Sequence, residues 1–213
     1  MENINTKKIL FYLFGQFILA LGISLSIKTD LGVSPVSSVP YAFSNVTGME
    51  LGNMTILVHT VYVFFQYLVL RKDFKLSNFL QILVGVLFGK CVTLTNLILK
   101  NVALNGLVLR YAMLGLSILL IAVGLKMYMW TDIAPQATDG LVNAISQKYQ
   151  IAFSTVKNYF DICSVIVSAA VSLIFLGKIL GIREGTVIAA LLVGRVAHVI
   201  EKYSGEKAKA FLA

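Results

Sequence analysis

Six stretches of this chain are apolar over nearly the length a helix needs to cross a bilayer, about 20 residues. They run roughly Ile9 to Ile27, Met54 to Leu70, Phe79 to Leu99, Leu107 to Trp130, Val156 to Leu176 and Gly185 to Ile200. Only 13% of residues are charged, against 58% hydrophobic, and mean hydropathy is +0.84. A soluble domain carries about 25% charged residues, so too few polar side chains remain to cover a water-facing surface. A soluble enzyme, a disordered chain and a disulfide scaffold are excluded. The expectation is one all-α polytopic membrane domain over residues 1–213, with the lipid bilayer as its first partner. Lys7 and Lys8 precede the first stretch as in a secretion signal, but its apolar run is too long for a cleaved segment, and it is read as a retained helix.

Two further segments, Leu31 to Asn53 and Ile133 to Thr155, are too long and apolar for ordinary loops. Their helix-like parts, Val36 to Val46 and Thr138 to Tyr149, are too short to span. Lys and Arg gather on the cytoplasmic side of a membrane protein, which accounts for the net charge of +8. Nucleic acid is not expected as a partner, since no basic stripe interleaves with aromatics. Six spans place Lys7, Lys8, Arg71, Lys72, Lys75, Lys148, Lys157, Lys202, Lys207 and Lys209 inside, and Lys28, Lys100, Arg110, Lys178 and Arg183 outside. Eight spans would put the Arg71 to Lys75 cluster outside. Six spans with both termini cytoplasmic are therefore expected.

A shift of 102 positions aligns Ala20, Gly22, Thr29 and Asp30 with Ala122, Gly124, Thr131 and Asp132, and Ala42, Ser44, Val63 and Val69 with Ala144, Ser146, Val165 and Val171. At a shift of 105, Gly89 and Lys90 meet Gly194 and Arg195. The halves, about residues 8–100 and 107–201 ahead of a cytoplasmic tail at 202–213, would each hold three spans and one short non-spanning or re-entrant helix. An odd number of spans inverts the second half in the membrane, the plan of many secondary transporters.

Backbone that breaks off within a membrane must be buried in protein or line a polar cavity, which makes the short segments the leading binding candidates. Pro35 suits a first helical turn, with Ser34 or Asp30 capping it and Ser37 and Ser38 offering hydroxyls. Gln136, Thr138 and Asp139 hold the corresponding places after Pro135. A helix start favours an anion, whereas Asp139 favours a cation, so the sign of a solute stays open; interfacial loops are the other reading of both segments. His59 and Asp161 are ionisable inside spans, equivalent under the 102 shift, and roughly 10 Å apart in depth by helical rise. With Asp30 and Asp132 they are the candidates for coupling or gating. Lys90 and Arg195 follow glycines in G/A-x3-G patterns that let helices approach closely. They would bind an anionic solute or headgroup, pair with Asp161, Asp30 or Asp132, or snorkel to the interface. Cys91 and Cys163 read as small buried hydrophobes. Gly85 to Cys91 lacks the length and the Ser/Thr of a phosphate loop, and neither HExxH nor GxSxG occurs. No metal, cofactor or catalytic group is expected, and Tyr62, Phe64, Phe65 and Tyr67 read as packing and lipid-facing surface.

The block Leu31-Gly32-Val33-Ser34-Pro35, then Ser38-Val39-Pro40-Tyr41 and Thr47-Gly48, resembles the YczE/YyaS/YitT family of bacterial membrane proteins. Asp139-Gly140-Leu141, Thr155 to Asp161 and Gly181 to Thr186 carry the likeness through the second half. Where family members often repeat a PxDG block, this chain has Ala134-Pro135-Gln136-Ala137-Thr138-Asp139-Gly140. The resemblance implies a polytopic protein of the bacterial cytoplasmic membrane and brings no shared activity. From the residues, the expected function is that of a secondary transporter or permease for a small polar or charged solute, and not an enzyme. The alternative is a non-transporting scaffold or accessory subunit, with a second copy or another membrane protein as partner.

Overall fold

The computed structural model describes residues 5–212, and no strand occurs among the described residues. Met1 to Ile4 and Ala213, the ends of the expected domain and of its tail, lie outside the described residues. The helices are α1 (Thr6–Thr29), α2 (Pro35–Thr47), α3 (Leu51–Leu70), α4 (Leu80–Ile98), α5 (Leu107–Trp130), α6 (Ala137–Tyr149), α7 (Phe153–Leu176) and α8 (Glu184–Leu212). Two short 3-10 turns, Arg71–Asp73 and Leu76–Phe79, link α3 to α4. Among the described residues, five segments are long and apolar enough to cross a membrane: Thr6–Thr29, Leu51–Asp73, Leu76–Ile98, Leu107–Trp130 and Phe153–Leu176. α8 is longer than any of these at 29 residues. Its apolar part is bounded by Glu184 and by Glu201 and Lys202 and interrupted by Arg195, so no 18-residue window meets the same standard.

The helices gather into two compact units. The first comprises Met1–Ser34, Cys91–Ile133 and Arg183–Ala213. Its centre is an antiparallel pair of α1 and α5. Tyr12 meets Tyr128 edge-on at 6.1 Å near one end, and Asp30 meets Arg110 at 3.4 Å at the other. Glycine permits the close approach. A Cβ on Gly22 would fall 2.8 Å from the Ile121 nitrogen, and one on Gly124 would run into the Leu19 backbone. With no water to drive association inside a membrane, such backbone-to-backbone packing is a main source of helix affinity. α8 joins through its first turn, where the Gly185 N–H donates to the buried Leu31 carbonyl at 2.7 Å.

The second unit comprises Pro35–Lys90 and Ala134–Ile182. α2 packs on α7 and α6 packs on α3, so each short helix lies along a long helix from the other half of the sequence. Both short helices are buried at their starts and exposed at their ends. α2 buries Pro35, Ser37, Ser38, Val39, Pro40 and Ala42 and exposes Asn45 and Thr47. α6 buries Ala137, Thr138, Gly140, Leu141, Val142 and Ala144 and exposes Gln147 to Tyr149. Pro40, inside α2, has no N–H to give the Val36 carbonyl one turn earlier.

Local geometry matches between the halves at the offset of 102 residues. Asp30 and Asp132 are left-handed, with φ of 54° and 52°. The hydroxyls of Thr29 and Thr131 donate to the carbonyls of Ser26 and Tyr128 at 2.6 and 2.7 Å. The hydroxyls of Ser44 and Ser146 donate to the Met49 and Ile151 carbonyls, each at 2.7 Å. Gly48 and Gln150, with φ of 72° and 54°, each donate an N–H back to the carbonyl of that same serine. Glu50 and Ala152 then enter the next helix with nearly the same dihedrals, φ −57° and ψ 137° against φ −55° and ψ 133°. Most of these residue pairs differ in identity, so the conformation is shared more closely than the sequence.

Candidate functional site

The polar interior of the second unit centres on one turn of α7, from Asp161 to Ser164. α2 reaches it through Ser38, whose hydroxyl donates to the Pro35 carbonyl at 2.6 Å and to the Ser164 carbonyl at 3.3 Å. One turn along α7, the Ser168 hydroxyl donates to the Ser38 carbonyl at 3.0 Å. α6 reaches the same turn through Asp139, which lies near enough to Asp161 for the two carboxylates to repel. α3 reaches it through Tyr62, whose hydroxyl bonds Ser164. The Ser164 hydroxyl itself donates to the Phe160 carbonyl at 2.8 Å. The first turns of both short helices thus converge on one turn of one long helix.

Lys157 holds Asp161 at 2.6 Å, each side chain 25% exposed. α2 has no acidic residue in its first turn, whereas α6 carries Asp139 there. The positive end of the α6 dipole is met by its own side chain, and that of α2 is not. His59 lies one turn before Tyr62 on α3, 3% exposed, its ring stacked on Phe88 at 5.6 Å and 7°. Gly85 makes room for it, because a Cβ there would lie 3.0 Å from the His59 Cβ. Its Nδ1 is buried with no hydrogen-bond partner among the described residues. Deeper along α3, the Gln66 amide donates to Gln81 at 2.8 Å and to the Ala137 carbonyl at 3.1 Å, tying the start of α6 to α3 and α4.

Of the residues expected to bind, Pro35, Ser37, Ser38, Gln136, Thr138 and Asp139 lie in this unit, and all but Asp139 are buried. Ser34, also buried, closes the first unit's segment. Asp30 does not cap α2. Its left-handed conformation ends α1, its N–H bonding the Ile27 carbonyl at 3.1 Å. Its carboxylate instead meets Arg110 and Arg183, at 3.4 and 3.5 Å. Asp132 occupies the corresponding left-handed position after α5 and is exposed. Lys90 and Arg195 are exposed and make no ion pair among the described residues. Pairing with Asp161, Asp30 or Asp132, one of the readings offered for them, is not formed among the described residues; Lys157 sits one helical turn from Asp161, and Arg110 and Arg183 flank Asp30.

The sequence reading overlooked Tyr62 and Lys157. Tyr62 sits among aromatics that are mostly exposed, Phe64 at 57%, Phe65 at 46% and Tyr67 at 52%, yet it is itself only 8% exposed. Lys157 counted only as an orientation charge. A legible signal was the ladder Ser164, Ser168 and Ser172, at i, i+4 and i+8 on an apolar helix, all three buried. Cys163 is exposed and Cys91 half-buried, so neither is the fully buried hydrophobe expected.

A family model described as a family of unknown function (DUF6198) matches residues 6–202. The chain belongs to the DUF6198 family. This DUF6198 chain is 29% identical over 195 residues to the uncharacterized protein YyaS of Bacillus subtilis (strain 168), covering 90% of this chain and 91% of that protein. It is 28% identical over 189 residues to the uncharacterized membrane protein YczE of the same organism, covering 87% of this chain and 81% of that one. The likeness first read from the Leu31 to Pro35 block therefore extends along nearly the whole DUF6198 chain. No solved structure matches it. YczE's name and the five apolar helices agree that the DUF6198 fold is that of a membrane protein.

Proposed function

We propose that this chain is a secondary transporter or permease for a small polar or charged solute, resident in the bacterial cytoplasmic membrane with both termini cytoplasmic. The observation that carries the reading is the convergence of two non-spanning helices, by their buried first turns, on Asp161 to Ser164. Broken helices are costly in a bilayer and are tolerated where they are buried in protein or line a cavity. In transporters built from inverted repeats they form the solute site. The apolar part of α8, Gly185 to Ile200, serves as the sixth span. The inversion of the halves is supported by the antiparallel run of α1 and α5, which correspond at the offset of 102 residues, and by the matched turns after each. The turn gathers the hydroxyls of Ser38 and Ser164 and the carboxylates of Asp161 and Asp139. A solute carrying both donor and acceptor groups suits such a site.

Within this reading Asp161 is the coupling residue, held by Lys157 until solute or a proton competes for it, and His59 a gating residue beside Tyr62. The residues are assigned binding and gating, with no catalytic step. The test is a thermal-shift screen of the purified protein against a metabolite library, because a ligand that binds only the folded state raises its melting temperature by mass action. A stabilising solute whose effect is lost in Asp161→Asn is the expected result. No stabilising solute, together with a stoichiometric protein partner retained from native membrane, would favour the accessory-subunit reading instead.

A further inference from the structure

The last three turns of α8 run past the apolar part of the helix and have two unlike faces. Glu201, Gly205, Ala208 and Leu212, spaced i, i+4, i+7 and i+11, are buried or half-buried, while Lys202, Tyr203, Glu206, Lys207, Lys209 and Phe211 are exposed. The inner face is anchored. Trp130 Nε1 donates to Glu201 at 2.7 Å, Lys126 meets the same carboxylate oxygen at 3.3 Å, and Lys209 bonds the other at 3.0 Å. Leu212 is only 1% exposed, and the Lys7 ammonium lies 5.5 Å over the Phe211 ring, which brings the start of α1 to the end of α8. The rotation of this segment is therefore set by packing, and its outer face is a fixed feature of the first unit.

That outer face sets ammonium groups beside aromatic rings. Tyr203 is 71% and Phe211 62% exposed, a placement that favours the headgroup level of a bilayer, where amphipathic rings collect. Lys202 and Lys207 flank them, with Lys7 nearby, and Glu206 is the one acid on the face. Glu201 cannot offset these lysines, since Lys209, Lys126 and Trp130 already hold it. Basic groups next to interfacial aromatics are the combination by which an amphipathic helix holds anionic lipid.

We propose that the outer face of the α8 extension, through Lys202 and Lys207 with Tyr203 and Phe211, is a docking surface for anionic phospholipid headgroups. Neither lysine is among the groups that hold Glu201, so replacing them leaves the anchoring contacts intact. The experiment follows the melting temperature of the full-length protein in neutral detergent as phosphatidylglycerol, phosphatidylcholine or inorganic phosphate is added. Phosphatidylglycerol should stabilise it and the other two should not. In Lys202→Gln/Lys207→Gln the apparent affinity for phosphatidylglycerol should fall roughly thirtyfold, from about one kcal/mol per lysine, and Lys202→Arg/Lys207→Arg should restore it. Equal stabilisation by phosphatidylcholine or by inorganic phosphate, or an unchanged response in the double glutamine variant, would overturn the assignment.

Discussion

Single residues decide several features of the chain. Gly32 has φ +120°, a region L side chains rarely adopt, and an added Cβ would sit 2.5 Å from the Thr186 hydroxyl and 2.9 Å from its nitrogen. Gly32→Ala should destabilise the protein by about 1–3 kcal/mol from backbone strain alone, read as a lower melting temperature. Glu201 lies beyond the apolar part of α8, where Lys209 foremost, then Trp130 and Lys126, hold its carboxyl below the ordinary 4.5, at about 2. A carboxyl whose folded value is depressed contributes stability that is fully present above its unfolded value and lost as pH falls toward the folded one. The melting-temperature difference between the protein and Glu201→Gln should therefore hold at neutral pH and shrink between about pH 4.5 and 2. A difference constant across that window would contradict the assigned contacts. His59 and Asp161 stood out in the sequence because ionisable groups inside apolar runs are rare. Tyr62 and Lys157 did not, because burial among aromatics and pairing one turn along a helix depend on which face packs inward.

Among elements, the short helices were the most legible. Length excluded a crossing, Pro35 marked a first turn, and observed bounds of Pro35–Thr47 and Ala137–Tyr149 lie close to those expected. Their partners were not legible, since the Ser38 and Ser164 contact joins residues 126 positions apart and no local pattern states that α2 lies along α7. α8 showed the opposite difficulty. The apolar run Gly185 to Ile200 was visible, but its continuation as one helix to Leu212 was not, because the polar tail reads as solvated until Glu201, Gly205, Ala208 and Leu212 are seen to share a face. The α1 and α5 pair offers a direct test of packing. Gly124→Leu would drive a side chain into the Leu19 backbone, while nothing lies within 4 Å of a Cβ on Gly115 of the same helix. Gly124→Leu should cost about 1–3 kcal/mol or more from overpacking, and Gly115→Leu should change the melting temperature little. Equal effects at the two glycines would contradict the close crossing.

At the scale of the molecule, the ion pairs between helices join charges that the positive-inside arrangement assigns to one side. Arg110 and Arg183 meet at Asp30, expected outside, and Lys148 meets Asp73, expected inside. Exposed pairs of this kind add little stability, and their value here is to report which helix ends lie together. A fluorescent protein fused after residue 213 should fold and fluoresce on the cytoplasmic side, and a periplasm-dependent reporter in its place should stay inactive. Membrane class and the all-helical fold were carried by hydropathy and spacing. A solute was not, because at the proposed site its recognition would depend on how helices far apart in the sequence bring serines and carboxylates to one turn. The most direct test of the account is uptake or counterflow in proteoliposomes of a solute that stabilises the purified protein. The account predicts saturable exchange that Asp161→Asn abolishes while the variant remains folded. Exchange no faster than in protein-free vesicles, or exchange unchanged in Asp161→Asn, would contradict it.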